Sequence, residues 1–425
     1  MTEQNRKISS LMEELDDEVS SCINCGFCET VCPTLPASGF RSSIGARGRV
    51  DLGKEIFKEV KESGRIELKI DESFYTCLDC YACLQVCPAG VNAGKVSEIG
   101  KALISSGEIT VKSQRNPIAD MIVELTMKYR NPLGVRELCS GWAEGLAFDG
   151  SSSTLLYTGN MYQLMAYNKA LGKLESQIGS MLSKTIAGFF TKHTSFSKYI
   201  KHFADKKMKE EMDNYLRDIY LLLKGTGTTF NYLGKDEPYP GTFIYDLGYR
   251  EKFAEYAKYL ADLFHKKNVE HIITVDPHTY DLLKNTVPKF VEDFDFTVSH
   301  YLEYIKPESL AKTSEKVTFH EPCHFVLRKD SYDVPKKLLE STSDIVMPAR
   351  SGKKVLCCGG PDELLYKGLS EKISEERFRE LKDTGAEKII TACPICLSNL
   401  KKENIVTDIS SYLLEKKRNY KNSMP

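Results

Sequence analysis

Eight cysteines fall into two runs of identical spacing, Cys22-x2-Cys25-x2-Cys28-x3-Cys32-Pro33 and Cys77-x2-Cys80-x2-Cys83-x3-Cys87-Pro88. No other feature constrains the fold as tightly, because this is the ligand pattern of a pair of [4Fe–4S] clusters. Three thiolates on one tight loop reach three corners of an iron cube, while the fourth cysteine, held before a proline, points away. Where two such runs occur together, that fourth residue serves the other cluster. The spacing therefore assigns Cys22, Cys25, Cys28 and Cys87 to one cluster, and Cys77, Cys80, Cys83 and Cys32 to the other. A zinc site or a disulfide framework would account for a single Cys-x2-Cys pair, but not for two runs with both prolines in register.

With 425 residues the chain is long enough for about three domains, at roughly 150 residues each. Its 58 basic and 59 acidic side chains leave a formal charge of −1, so there is no global field to gather nucleic acid. From Met1 to Ser20 there is no apolar core or small-residue cleavage site of an export signal, and no run approaches the ~18 apolar residues of a membrane span. A cysteine-rich chain without an export signal is expected in a reducing, cytoplasmic compartment, where thiols bind metal instead of pairing.

The 44 residues between Cys32 and Cys77 exceed what a compact β-rich cluster module needs, and Leu52, Ile56 and Val60 recur at helical spacing on Asp51 to Glu62. Residues 1–110 are therefore expected to form a helical ferredoxin domain, and 111–150 a helical connector with a turn at Asn131-Pro132-Leu133-Gly134. Beyond 150 the pattern changes to short β-branched runs alternating with charged helices, which predicts α/β units with parallel strands. The predicted strands are Leu155–Tyr157, Ile272–Val275, Val317–Phe319 and Ile389–Thr391. Glu270, Ile272, Ile273, Thr274, Pro277, Leu283 and Lys284 align at one constant offset with Glu387, Ile389, Ile390, Thr391, Pro394, Leu400 and Lys401, so two copies of one unit are expected.

Five further cysteines lie in the second copy: Cys323, the adjacent Cys357-Cys358 before Gly359-Gly360, and Cys393-Pro394-x-Cys396. Each group follows a predicted strand, so all five are expected to converge at the carboxyl ends of a parallel sheet, where open α/β sheets put their sites. Five soft ligands in one crevice imply iron–sulfur chemistry.

These residues resemble the cysteine-rich, or CCG, domain of heterodisulfide reductases. Together with the N-terminal runs, the whole chain resembles the D-type subunits of heterodisulfide reductases and the iron–sulfur subunits of glycolate, lactate and glycerol-3-phosphate oxidising complexes. Gly45-Ala-Arg-Gly-Arg49, Cys87-Pro-Ala-Gly-Val91 and Asn131-Pro-Leu-Gly134 also match. The resemblance implies a degenerate CCG-type domain over 151–310 and an intact CCG domain over 311–425. It implies that Cys323, Cys357, Cys358, Cys393 and Cys396 hold a non-cubane [4Fe–4S] cluster, with zinc as the alternative occupant, at which a disulfide is reductively split. A disulfide takes two electrons while ordinary cubanes pass one at a time.

The first copy departs from the family pattern. Asn160, Tyr239, Pro240, Asp276 and Thr279 stand where cysteines are expected. Asn160 and Tyr239 enclose 78 residues, against 33 between Cys323 and Cys357. That excess, about 175–215, carries Leu182, Ile186, Phe189, Phe196, Ile200 and Phe203 at helical spacing among lysines, which suits either packing on a protein or contact with an anionic membrane surface.

His320-Glu321-Pro322-Cys323-His324 spells H-E-x-x-H, but Pro322 falls between the histidines and prevents both from sharing one helical face. His324, beside Cys323, reads first as an ordinary satisfied histidine, with tuning of a cluster by hydrogen bonding or supply of a proton as the alternative, and Cys139, outside every motif, as a buried small hydrophobe. No dinucleotide or P-loop fingerprint is present, so redox equivalents are expected from a separate FAD flavoprotein in a hetero-oligomeric complex. Two functions follow: an oxidoreductase subunit that passes electrons through two cubanes to or from the C-terminal site, or a docking subunit relaying them from a glycolate, lactate or glycerol-3-phosphate dehydrogenase to quinone. In the second case the chain sits peripherally on the inner face of the membrane.

Overall fold

Three amphipathic helices, Glu3–Val19, Ala46–Ser63 and Ala93–Ser106, pack against one another because Gly53 lets their backbones approach. A Cβ there would lie 2.8 Å from Val96 Cγ1 and 3.0 Å from Val19 Cγ1. The second of these helices contains the predicted Asp51–Glu62 stretch and ends at Gly64, whose φ of 71° supplies the left-handed cap. The third starts at Asn92, whose side chain accepts from Gly94 N at 3.0 Å. The computed structural model describes residues 3–64, 66, 68–107, 117–135, 139–168, 204–328 and 332–423. The helix Pro117–Tyr129 and the expected turn follow, the latter closed by Leu133 N donating to Asn131 Oδ1 at 2.8 Å.

Two parallel sheets complete the fold. The first has order β1 (Thr154–Tyr157), β2 (His271–Thr274), β3 (Thr297–His300). The second contains β4 (Lys316–His320), β5 (Asp344–Ile345), β6 (Lys388–Thr391) and β7 (Val406–Asp408), in order β5-β4-β6-β7. The four predicted strands are β1, β2, β4 and β6. The internal repeat is kept in register: Thr154 pairs with His271 in one sheet as Val317 pairs with Lys388 in the other. Ile272 likewise pairs with Val298 as Ile389 pairs with Val406. The fold is thus a helical cluster-motif domain followed by two α/β units, the first without its cysteines.

The two units face each other through short helices at the ends of β2 and β4. There the His278 and His324 rings sit 3.9 Å apart, and His324 Nδ1 lies 2.9 Å from Asp281 Oδ2. The amphipathic stripe expected in the insertion, Leu182 to Phe203, lies entirely outside the described residues. The end of the expected 175–215 insertion begins the helix Lys206–Lys224, which buries Met208, Met212, Leu216 and Leu223 and packs on the C-terminal helix Ile409–Ser423. Among the described residues, no helix is long and apolar enough to cross a membrane.

Candidate iron–sulfur sites

Both N-terminal cysteine loops take the same backbone path. Asn24 and Gly26 have φ of 58° and 79°, and Asp79 and Tyr81, the same positions of the second run, have 47° and 62°. These left-handed residues curl each loop so that its sulfurs converge. Glycine adopts the conformation freely, whereas Tyr81 adopts it at a cost of about 1–2 kcal/mol. The Tyr81 ring is held there by the Arg328 guanidinium, 3.7 Å from its centroid, and by a hydrogen bond from its hydroxyl to Glu98.

The resulting cavities gather the sulfurs in two crossed sets. Cys22, Cys25, Cys28 and Cys87 line one. Cys32, Cys77, Cys80 and Cys83 line the other. The first, outer cavity opens to solvent at the exposed Cys25, flanked by Ile23 and Phe27, which are 66% and 55% exposed. The second is lined by the buried Cys32, Cys80 and Cys83 and the half-buried Cys77. Beneath it runs Arg49, only 2% exposed, whose Nη1 lies 3.8 Å from Cys32 Sγ. Its other donors reach Ser73 O at 2.8 Å, Thr34 Oγ1 at 3.1 Å and Thr76 Oγ1 at 3.1 Å.

The five C-terminal cysteines are all buried and meet at the carboxyl end of the second sheet. Cys323 opens the helix after β4, and Cys393 stands at the N-cap of the helix Pro394–Leu400 after β6. Cys357 and Cys358 come from the intervening loop. Gly359, with φ of 79°, turns that loop where a Cβ would lie 3.0 Å from both Ile373 Cβ and Ser370 O. The Cys357 thiol reaches those of Cys323 and Cys358, and Cys358 reaches Cys396, which reaches Cys393. Cys357 also reaches Cys80, so the inner N-terminal set and the C-terminal set adjoin through one pair of sulfurs.

The donor set fits iron–sulfur clusters. Burial pushes the Cys77 thiol up to about 12, and burial and then Glu29 push Cys28 up to about 12. Thiols raised in this way stay protonated on their own and become thiolates only when a cation displaces the protons. Cys139 is different: it is 1% exposed, takes a hydrogen bond from Asn131 Nδ2 at 3.4 Å, and lies on none of these sites.

The first copy has closed over its own crevice. A Cβ on Gly159 would lie 2.6 Å from Thr279 Oγ1 and 3.3 Å from Pro240, so the three loops that carry cysteines in the second copy here touch one another. Asp276 caps Thr279 N at 2.9 Å, and Asn160 Nδ2 donates to Glu237 O at 3.3 Å. Burial pushes the Glu237 carboxyl up to about 8, against the pull of the Thr158 hydroxyl and backbone N–H. A carboxyl raised in this way holds its proton in the folded state, so its penalty is absent below the unfolded value near 4.3 and grows as pH rises toward 8. Glu237→Gln is therefore expected to keep stability that the wild-type chain loses between about pH 5 and 8. Thermal unfolding of both proteins across that range checks it, and parallel profiles would contradict it.

The structure also gives a role to a residue that sequence reasoning set aside together with the H-E-x-x-H pattern. The two histidines of H-E-x-x-H do separate, His320 ending β4 and His324 falling within the helix Cys323–Val326. His324 turns away to Asp281. His320, fully buried, instead lies with Cys358 and Cys396, the three ligand atoms being within 4.8 Å of one another. Cysteine spacing does not place it there, because it belongs to a strand end and not to a cysteine loop.

Residues 18–91 match the 4Fe-4S dicluster domain family, and residues 317–401 match the cysteine-rich domain family. Over 90% of its length the chain is 23% identical to EtfAB:quinone oxidoreductase of Syntrophomonas wolfei, covering 54% of that protein. It is 22% identical over 90% of its length to the D-type subunit of the dihydromethanophenazine:CoB–CoM heterodisulfide reductase of Methanosarcina acetivorans, covering 88% of it. It is also 23% identical over 92% of its length to a probable glycolate oxidase iron-sulfur subunit of Bacillus subtilis, covering 90% of it. The chain spans about half the length or less of several of its curated relatives, EtfAB:quinone oxidoreductase among them. The chain thus carries a 4Fe-4S dicluster domain and a cysteine-rich domain, and over most of its length it is similar to D-type heterodisulfide reductase subunits and to a glycolate oxidase iron-sulfur subunit.

Proposed function

We propose that this chain is the electron-relay and acceptor-reducing subunit of a heterodisulfide-reductase-like complex. Cys22, Cys25, Cys28 and Cys87 hold an outer cubane, and Cys32, Cys77, Cys80 and Cys83 an inner one. Cys323, Cys357, Cys358, Cys393 and Cys396 hold a third, non-cubane iron–sulfur centre. Bound there, these groups supply one-electron carriage in series and, at the last, the site at which a disulfide takes two electrons and two protons to give two thiols.

The observation that carries this reading is the contact between Cys80 and Cys357, which joins the inner set to the C-terminal set inside the protein. The exposed Cys25, with Ile23 and Phe27 beside it, suits the outer set for exchange with a flavoprotein partner, since apolar surface of this kind marks docking sites. Arg49 provides positive charge beside the inner sulfurs.

A second reading rests on the closed first copy, whose ligand positions are filled by its own side chains. In it the α/β half is a docking module and the cubanes relay electrons from a flavin dehydrogenase to quinone at the membrane. A relative named for quinone reduction agrees with that route.

Metal analysis of protein purified without air separates the two. The leading reading expects about twelve irons and a third signal in the thiol-oxidised state, whereas about eight irons with one zinc favours the docking module.

A further inference from the structure

Arg377 projects from the helix Lys367–Lys382 and is 0% exposed. Its Nε–H donates to His320 Nδ1 at 3.1 Å, and its Nη1 donates to Arg350 O at 2.9 Å and Glu380 Oε2 at 2.7 Å. A guanidinium offers only donors, so His320 Nδ1 is the acceptor and carries no proton. The single proton of the ring is then on Nε2. That nitrogen is buried without a hydrogen-bond partner, and the Cys358 sulfur lies within 4.8 Å of the ring's ligand nitrogen. Cys358 Sγ already takes Gly360 N at 3.4 Å.

We propose that His320 is a positioning and tuning residue of the C-terminal centre: its Nε2–H donates to Cys358 Sγ, with the tautomer fixed by Arg377, and it does not ligate the metal. A ring that accepts at Nδ1 cannot also offer Nε2 as a lone-pair ligand without losing its last proton. The trio of His320, Cys358 and Cys396 therefore does not form a nitrogen-ligated zinc site, although its spacing would suit one. Donation of N–H to a ligating sulfur stabilises the more negative, reduced state and raises the reduction potential. This inference rests on the functional reading above, because it needs an iron–sulfur centre to tune.

The closed first copy serves as an internal comparison. The shared register puts Tyr157 at the position of His320, and its hydroxyl donates to Pro238 O at 2.7 Å. The corresponding helix, Arg250–Lys266, carries the buried Leu260 where the second copy has Arg377. Where the cysteines are missing, both members of the histidine–arginine pair are missing too.

The test uses the full chain, purified without air, with iron content, the EPR signals of all centres and a reductive titration of the third. His320→Ala is expected to keep the iron content and both cubane signals while shifting the midpoint of the third centre to lower potential. His320→Gln, which retains an N–H donor, should restore part of that shift. Arg377→Gln, which frees Nδ1, should shift the midpoint in the same direction as His320→Ala. Loss of the third centre's iron in both His320 variants, with cubanes intact, would overturn the proposal by making His320 a ligand; an unmoved midpoint in His320→Ala would overturn it as well. A wild-type protein with zinc at this site would already sink the functional reading, and that is seen in the metal count before any variant is made.

Discussion

Replacing Cys357 by Ala is expected to remove about four irons and the whole signal of the C-terminal centre, while both N-terminal cubanes keep theirs. Cys357 is the hub of the C-terminal sulfurs, within reach of Cys323, Cys358 and Cys80. Of the remaining four, Cys323 loses the sulfur that links it to Cys358, Cys396 and Cys393. The inner N-terminal cavity, by contrast, keeps its own four sulfurs, Cys32, Cys77, Cys80 and Cys83. Reduction of a disulfide should therefore be abolished in Cys357→Ala, while reduction of the two cubanes by a chemical donor continues. Iron analysis and EPR on the same sample check both statements. Loss of the cubane signals together with the third would show that the two halves do not hold their metals independently.

Arg49→Met is expected to destabilise the iron-loaded protein by about 3–5 kcal/mol, the range for leaving one side of a buried ionic contact uncompensated. The guanidinium is buried against Cys32 and bonded to Ser73, Thr34 and Thr76, all of them neutral partners. The nearby Asp362 carboxyl is pushed up to about 8, by burial above all, so it supplies little negative charge at neutral pH. What balances Arg49 is thus thiolate sulfur, and thiolate exists there only when metal is bound. The substitution should accordingly cost much less in iron-free protein, where removing an unbalanced buried charge offsets the lost hydrogen bonds. Thermal unfolding of loaded and iron-free forms under anaerobic conditions measures the difference. Equal losses in the two forms would mean that Arg49 is a packing element indifferent to the cluster.

Much of this architecture is legible in the sequence, for identifiable reasons. Thiolate spacing on a short loop is set by the size of the cluster, so the grouping of the eight N-terminal sulfurs into two crossed sets can be read from the chain. Strands β1, β2, β4 and β6 are central in their sheets or carry continuous apolar runs, and each announces itself. The strands that escape notice, β3, β5 and β7, are edge strands of four residues or fewer, with polar members such as Ser299, Asp344 and Asp408. The repeat is visible because β2 and β6 and the helices after them keep the same residues at the same offset.

Contacts between distant segments are not legible. Nothing in local spacing says that Cys80 meets Cys357, or that Arg377 from a helix far along the chain selects the tautomer of His320. The H-E-x-x-H pattern fails as a helical zinc motif, as Pro322 implies, yet it draws notice to His324, which pairs with Asp281, and away from His320. The reason is geometric: a strand end and the helix after it point neighbouring histidines in different directions. Most of the basic amphipathic stretch expected about 175–215 lies outside the described residues, and its part from Lys206 onward is a core-packing helix.

Central to the proposed electron route is that the inner cubane and the C-terminal centre are neighbours joined through Cys80 and Cys357. The direct measurement is EPR of partly reduced protein, following how fast the spin of the C-terminal centre relaxes when the inner cubane is paramagnetic. Enhanced relaxation that disappears in Cys80→Ala but persists in Cys25→Ala is the predicted result. A C-terminal signal that relaxes identically in wild type and in Cys80→Ala would contradict it, since no electron path would then run from the inner set to the site of reduction.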